Sequence, residues 1–207
     1  MPNWVKNIVR FIGDDESIEK LKKFIVVDDE HIKQLEERNS ALSEDFQIKI
    51  PEKGKISFNI LIPQPTNIFQ GGVGKKEEEK YGKNTWYDWN IEHWGTKWDA
   101  CECEVYQTRH YLELSFWTAW SCPEPWYKAI CEKAVEIGDI VSIDGEFADE
   151  DFGGFMAYIE YDFGENELVI AGSDYDRELY ELVWGEGTCD FEDEDSDESE
   201  PDTEDNE

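Results

Sequence analysis

Basic residues are almost absent from the second half of the chain. Residues 134–207 contain 28 Asp and Glu and one base, Arg177, whereas residues 1–133 contain 23 acids and 18 Lys and Arg. A field of one sign repels polyanions, so we expect the protein to bind neither nucleic acid nor an anionic membrane surface. The same field attracts cationic surfaces, and a basic protein is therefore the partner that the charge favours.

Long apolar runs and regular cysteine spacing are also missing. No segment approaches 18 apolar residues, and the first residues, Met-Pro-Asn-Trp-Val-Lys-Asn, lack the apolar core of an export signal. The five cysteines, at positions 101, 103, 122, 131 and 189, are odd in number and lack the spacing of a disulfide framework. These absences predict a cytoplasmic protein with reduced thiols.

Motifs for metals, phosphates and covalent catalysis are incomplete. The cysteines and histidines lack the spacing of a zinc knuckle, and the Gly-rich run at 71–76 lacks the spacer of a phosphate loop. A nucleophile and base formed by Cys122 and His110 would have no electropositive surroundings. We therefore predict no metal, no cofactor and no catalytic residue, and a binding role is favoured over catalysis.

The chain is rich in aromatic residues and fits one domain. Its 207 residues suffice for a single substantial core, and nine tryptophans are more apolar surface than a disordered chain carries. Asp190 to Glu207 differs, since it contains twelve acids and no base and cannot bury enough surface to offset its chain entropy. We predict a folded domain over 1–188 and a disordered acidic tail over 189–207.

Hydrophobic periodicity predicts a sheet accompanied by helices. Alternating residues indicate strands, and apolar residues at helical spacing after capping residues or prolines indicate helices. The predicted strands are 4–12, 101–106, 110–116, 140–143, 155–161 and 168–171, and the predicted helices are 15–26, 29–38, 86–95, 123–138 and 173–184.

The order of these elements is that of a split βαβ unit. It predicts an α+β fold, a ferredoxin-like antiparallel sheet with helices packed on one face, followed by a C-terminal hairpin and helix. Residues 46–62 are predicted as extended chain. The Gly-, Lys- and Glu-rich segment 70–84 is predicted as an exposed loop.

Three tryptophan-rich segments of the chain resemble one protein family. They are Met1-Pro2-Asn3-Trp4, the run from Trp86-Tyr87-Asp88-Trp89 through Trp94-Gly95-Thr96-Lys97-Trp98-Asp99-Ala100, and Phe116-Trp117-Thr118-Ala119-Trp120-Ser121-Cys122-Pro123. Over roughly residues 1–135 the chain resembles the YubB-like proteins, a family with a ferredoxin-like domain found mainly on plasmids, phages and other mobile elements. The resemblance implies that fold and that setting, and it implies no reaction. Relative to the family pattern, the stretch near 29–56 is expected to be an insertion, and the acidic tail is a second departure.

Acidic residues at strand positions supply the first functional hypothesis. Alternate residues of a strand point the same way about 7 Å apart, a separation comparable to that of neighbouring phosphates along a nucleic acid. The pairs that would align in this way are Asp144 with Glu146 and Glu160 with Asp162, with Glu102 and Glu104 extending the stripe.

This alignment favours a non-enzymatic mobile-element protein that binds a basic protein surface by imitating nucleic acid. Such a protein would inhibit a host nuclease or another DNA-binding protein, and screening by salt would weaken its binding. A solvated surface that only keeps the protein soluble is the alternative interpretation. The predicted contact residues are Glu146, Asp149, Glu150, Asp151, Glu160 and Asp162.

The tryptophan-rich stretch 86–122 supplies the second hypothesis. Few cations accompany its aromatic residues, so a stacking platform for bases is disfavoured against core packing or a protein-binding groove. If the stretch instead lines a cavity, the chain is a small-molecule-binding protein or an enzyme. The residues predicted for that site are His93, Lys97, His110, Thr118 and Trp120.

Overall fold

An antiparallel sheet forms the centre of the fold. The computed structural model describes residues 3–185 and Thr188. Over these residues, six strands form one sheet in the order β2-β3-β1-β4-β5-β6, and each strand is antiparallel to its neighbours. The strands are β1 (Trp4–Gly13), β2 (Cys101–Gln107), β3 (Tyr111–Ala119), β4 (Ile140–Asp149), β5 (Met156–Asp162) and β6 (Glu167–Ser173). The predicted α+β class and the predicted strands are confirmed.

Seven α-helices accompany the sheet in the described residues. They are α1 (Asp15–Lys22), α2 (Asp29–Ser40), α3 (Phe58–Leu61), α4 (Lys75–Tyr81), α5 (Trp86–His93), α6 (Glu124–Ile137) and α7 (Arg177–Trp184). The five predicted helices are confirmed, although α1 and α7 are shorter than predicted.

Two segments predicted without helix contain one. The predicted loop 70–84 contains α4, whose Lys and Glu residues have high helix propensity and follow Gly74 as N-cap. The segment 46–62, predicted as extended, contains α3 and follows a short 3-10 turn at Glu44–Phe46. The chain between α2 and α4 is therefore a folded, irregular segment and not a simple extended connection.

The main hydrophobic core lies between one face of the sheet and the helices α1, α3 and α6. Along β1, Val5, Val9 and Phe11 are buried and alternate with half-buried neighbours, as the period-two pattern predicts. Trp126 of α6 is fully buried against Phe116 of β3, with 5.7 Å between ring centroids. This packing fixes which residues of each strand face away from the core.

The C-terminal helix α7, for which the sequence predicts no sheet face, packs on the face opposite the main core. Its residues Leu179 and Val183 form a second, smaller core with Ala148 of β4 and Met156 of β5. An amphipathic helix must bury its apolar stripe, and the small side chain of Ala148 leaves room for the helix against the sheet. Trp184 Nε1 donates to the carbonyl oxygen of Asp149 at 3.0 Å and holds the helix end in place.

Two further predictions concern a membrane-spanning segment and the C-terminal tail. Among the described helices, none has the length and apolar character needed to cross a bilayer. The predicted tail, 189–207, lies outside the described residues.

A close approach of two strands requires glycine at position 145. Gly145 of β4 lies opposite Val9, and a Cβ atom added there would lie 2.2 Å from the Ile8 carbonyl oxygen and 3.1 Å from Val9 Cα. Both neighbours are backbone atoms of β1, so the central strands would have to separate. We expect Gly145→Ala to lower the free energy of unfolding by about 1–3 kcal/mol, measured by urea denaturation.

Gly72→Ala is the matched control, because a Cβ atom at Gly72 would meet nothing within 4 Å. Its unfolding free energy should stay unchanged or rise slightly, since alanine restricts the unfolded chain. Equal midpoints for the Gly145 and Gly72 variants would contradict the close approach.

Candidate functional site

The sheet surface that faces away from the main core is partly open to solvent. Helix α7 covers it at Ala148 and Met156, and Lys6 lies 5.9 Å from the ring centroid of Trp184. Beyond this cover, Tyr158 of β5 has 43% of its surface exposed. We call this uncovered part of the sheet the open face.

Carboxylates cross the open face from strand to strand. Directly paired residues of antiparallel strands lie on the same face, and the register places Arg10 of β1 between Glu113 of β3 and Asp144 of β4. With neighbouring strands about 4.8 Å apart, five strands span about 19 Å. We call these acids the carboxylate band: Glu104, Glu113, Asp144, Glu146 and Glu160.

Arg10 is the cation at the centre of this band. Its Nη1 donates to Glu146 Oε2 at 2.7 Å, its Nη2 donates to Glu146 Oε1, and its Nε donates to Glu113 Oε2 at 3.2 Å. Asp144 Oδ1 lies 3.5 Å from Nη1. The hydrogen bonds that Arg10 donates to the Glu146 carboxylate raise the pKa of Arg10 further above its usual range. One guanidinium thus holds three carboxylates in fixed positions.

Tyr111 extends this hydrogen-bonded cluster along β3. Its hydroxyl donates to Glu113 Oε2 at 2.5 Å. Burial, together with this bond, raises the pKa of Tyr111 to about 12, so the phenol stays protonated at neutral pH. Tyr111 therefore adds a hydrogen bond to the cluster and no charge.

Two of the six predicted contact residues are buried. Glu146 is 3% exposed because both of its carboxylate oxygens bind Arg10, and it cannot be an outward contact residue as predicted. Asp149 is 9% exposed, and its Oδ1 accepts a hydrogen bond from the Asp151 backbone N–H at 2.9 Å. Asp149 thus stabilises the turn after β4.

The other four predicted contact residues are exposed but occupy two places. Glu150 and Asp151 lie beside the start of β1, where Glu150 Oε1 accepts from the Trp4 backbone N–H at 3.0 Å. Glu160 and Asp162 lie near the other end of β5, about 20 Å along the strand. The structure therefore does not bring the six acids together in one stripe.

The five residues predicted for the alternative site do not form one cluster, although two of them, Lys97 and Trp120, are in contact. Lys97 lies over the exposed ring of Trp120, 4.5 Å from its centroid. His93 Nδ1 donates to the Trp89 carbonyl oxygen at 2.9 Å, and His110 pairs with Asp15 beyond the other end of β3. The nine residues of β3 separate His110 from Trp120 by about 30 Å.

Thr118, the remaining predicted residue, belongs to a buried structural network. Its Oγ1 accepts a hydrogen bond from Asn7 Nδ2 at 3.0 Å and donates to the Ser121 carbonyl at 2.8 Å. Asn7 Oδ1 in turn accepts from the Tyr127 hydroxyl at 2.7 Å. This network joins β1, β3 and α6, and Thr118 is not available to a ligand.

The cysteines of the described residues are free thiols with suppressed reactivity. Burial raises the pKa of Cys122 and of Cys131 to about 12, and that of Cys103 to about 11. A thiolate is the reactive form, so these groups are poor nucleophiles at neutral pH. Within the described residues, no group of three or more His, Cys, Asp and Glu is placed to hold a metal ion.

A cleft of about 1040 Å³ lies between the irregular segment 44–56 and β2. Sequence reasoning missed it, because segments that are far apart along the chain form its walls. Trp86, Trp94 and Trp98 line it, and so do amide side chains, among them Gln64 and Asn90. These residues belong partly to the motif 86–122, so that motif does contribute to a cavity, although through other residues than those predicted.

The amide side chains beside the cleft form a connected chain of hydrogen bonds. Gln70 Nε2 donates to Gln64 Oε1 at 3.1 Å, Gln64 Nε2 donates to Asn90 Oδ1, and Asn90 Nδ2 donates to the Lys97 carbonyl at 2.9 Å. Asn59 Oδ1 accepts from the Gln64 backbone N–H at 2.8 Å. The network fixes the wall of the cleft in one arrangement.

Asp99 joins the cleft to the start of α3. Its Oδ1 accepts from the backbone N–H groups of Phe58 and Ala100, at 2.7 and 2.9 Å, and its Oδ2 accepts from Ser57 Oγ at 2.6 Å. Burial raises the pKa of Asp99, and these three hydrogen bonds oppose the rise. The carboxyl is therefore a structural link with no basic partner in the described residues.

Comparisons with protein-family models, with curated proteins and with solved structures find no match for this chain. The YubB-like resemblance therefore depends on the residues quoted for it.

Proposed function

We propose that this chain is a non-enzymatic acidic protein of a plasmid, phage or other mobile element, and that it binds a basic protein surface. The carboxylate band is the observation that carries this proposal. It contains five acids and, in register with them, one arginine, and it lies on a sheet within a chain of net charge −32. A cationic partner would gain from this field at long range as well as at contact.

We infer further that β1 to β4 with α1 and α6 form a ferredoxin-like unit. The order β2-β3-β1-β4 and the two helical connections across one face support this inference. The strands β5 and β6 and the helix α7 then extend the unit at one edge. The YubB-like resemblance, which covers the same part of the chain, supports the fold and the mobile-element setting.

Spacing and rigidity support imitation of nucleic acid as the mode of binding. Paired carboxylates such as Asp144 and Glu160 lie about 5 Å apart across neighbouring strands, and alternate residues along a strand lie about 7 Å apart. Arg10 fixes the positions of Glu113 and Glu146 in this array. A DNA-binding protein would therefore meet preorganised anions with little entropy left to lose.

The band can be neutralised without touching the buried ion pair. We expect the quadruple variant Glu104→Gln, Glu113→Gln, Asp144→Asn and Glu160→Gln to bind a fluorescein-labelled lysine 20-mer at least tenfold more weakly at low salt. The reason is the loss of charge complementarity, and the wild-type affinity should also fall as sodium chloride rises toward 0.5 M. Fluorescence anisotropy measures both effects.

A control variant removes four acids elsewhere: Glu16→Gln, Glu30→Gln, Glu36→Gln and Glu37→Gln on α1 and α2. It has the same net charge as the band variant, so a general charge effect would weaken both equally. The proposed function fails if the two variants bind the probe alike, or if a basic protein captured from host lysate binds the band variant as tightly as the wild type.

A small-molecule-binding protein or an enzyme is the second candidate function. The specific observation in its favour is the cleft, whose lining includes Trp86, Asn90 and Asp99 of the motif 86–122. The volume of this cleft lies at the upper limit of the usual range for ligand sites. The cleft shows no nucleophile and base pair among its described residues, which favours binding over reaction.

A further inference from the structure

The strand β2 is a terminal strand of the sheet, and its outer edge has no partner strand. Within the described residues, no backbone–backbone hydrogen bond joins residues 101–106 to any segment other than β3. Lys55 contacts the backbone of this strand, where its Nζ donates to the Cys103 carbonyl oxygen at 3.4 Å. An unpaired edge of this kind is a template for an added strand.

The cleft lies beside the first three residues of this free edge, where an irregularity between Cys101 and Glu104 interrupts the pairing with β3. Its lining includes Cys101, Glu102 and Cys103 on one side and residues 47–52 on the other. A residue of an added strand occupies roughly 160 Å³, from a rise of about 3.4 Å, a strand spacing of about 4.8 Å and a sheet thickness of about 10 Å. The volume of 1040 Å³ therefore corresponds to about six extended residues.

The charges that line the cleft favour a cationic occupant. Four acids line it against two lysines, Lys49 and Lys55. Three of those acids, Glu44, Glu52 and Glu102, are exposed and make no ion pair among the described residues. They would repel a second copy of this acidic chain and would attract Lys or Arg side chains.

The aromatic wall supplies the other half of the recognition. Successive side chains of a strand point to opposite faces. An extended peptide could therefore direct one set of side chains toward the half-buried indoles of Trp86 and Trp98 and the alternate set toward the carboxylates. This arrangement selects a peptide in which apolar and basic residues alternate.

We propose that the cleft binds an extended peptide of about six residues, alternating between apolar and basic side chains, which adds to β2 as a seventh strand. Backbone hydrogen bonds to the edge give the affinity, and the acids and indoles give the selectivity. The cleft shares β2 with Glu104 of the carboxylate band, but no residue of the band lines it, so this proposal does not depend on the proposed function.

A labelled octapeptide of alternating lysine and valine tests the proposal against full-length protein. We expect the peptide to bind at least tenfold more tightly than the same peptide with its four central backbone amides N-methylated, because methylation removes strand pairing and keeps the charge. Binding should slow amide hydrogen exchange in residues 101–106. The double variant Glu52→Lys and Glu102→Lys should weaken binding at least tenfold.

The matched control is Glu165→Lys with Glu167→Lys, which reverses two exposed acids at the other edge of the sheet and should leave the affinity unchanged. Equal binding of the methylated peptide would show attraction by charge alone and would overturn strand addition. Protection of residues 167–173 in place of 101–106 would assign the peptide to β6. Absence of peptide binding would leave the cleft to a small molecule and would also overturn the proposal.

Discussion

Replacing Arg10 with methionine is expected to lower the free energy of unfolding by about 3–4 kcal/mol at pH 7, the largest effect of a single substitution considered for this protein. The guanidinium binds both carboxylate oxygens of Glu146, which is 3% exposed. Methionine retains much of the apolar stem and removes the charge. Glu146 would then be a buried anion with no cation beside it, and Glu113 and Asp144 would add repulsion.

Urea denaturation of Arg10→Met, Lys20→Met and the double variant Arg10→Met with Glu146→Leu separates the causes. Lys20 forms an exposed ion pair with Glu16 on α1, so its loss should lower the unfolding free energy far less than the loss of Arg10 does. The double variant should recover most of the lost stability, because no buried charge remains. If the double variant is as unstable as Arg10→Met, packing of the arginine and not its charge is the stabilising factor.

The second large effect is expected at Asp99. Its replacement by alanine leaves the backbone N–H groups of Phe58 and Ala100 and the Ser57 hydroxyl without their acceptor. We expect a loss of about 2–4 kcal/mol at pH 7, measured by urea denaturation. Asp174→Ala, at an exposed acid, is the control and should change the unfolding free energy by less than about 0.5 kcal/mol.

Asp99→Asn isolates the contribution of the charge. Asparagine keeps an acceptor oxygen for the two N–H groups and cannot ionise. Because burial raises the folded-state pKa of Asp99 above 3.8, its protonation stabilises the fold fully below pH 3.8. That stabilisation is lost as pH rises through the folded-state pKa.

The unfolding free energy of Asp99→Asn minus that of the wild type should therefore increase as the pH rises from 3.8 through the folded-state pKa of Asp99. If the difference in unfolding free energy between the two proteins is constant from pH 3 to pH 7, the raised pKa of Asp99 is contradicted.

The sequence predicts local structure well where one physical signal is decisive. The alternation along β1 places Val5 and Val9 in the core, and Pro123 and Gly138 mark the limits of α6. In each case the signal lies within about ten consecutive residues. Such a signal can be interpreted without knowing which distant residues the segment contacts.

The errors occur where the outcome depends on distant residues. Glu146 occupies an outward position of a strand, which suggests a solvent contact, but its burial depends on Arg10, paired across β1 and β4. The amphipathic pattern of α7 shows that one side of the helix is buried and does not show which sheet face receives it. The cleft depends on how the segment 44–56 returns beside β2, and its residues follow no regular period.

The unequal cores on the two sides of the sheet imply a hierarchy of local opening. The core under α7 contains Ala148, Met156, Leu179, Tyr180 and Val183 as its buried residues, whereas the core under α1 and α6 extends over every strand from β1 to β5. Detachment of α7 thus requires far less apolar exposure than global unfolding. A transient release of this helix would uncover Lys6 and enlarge the solvent-facing area of the sheet while the remaining fold persists.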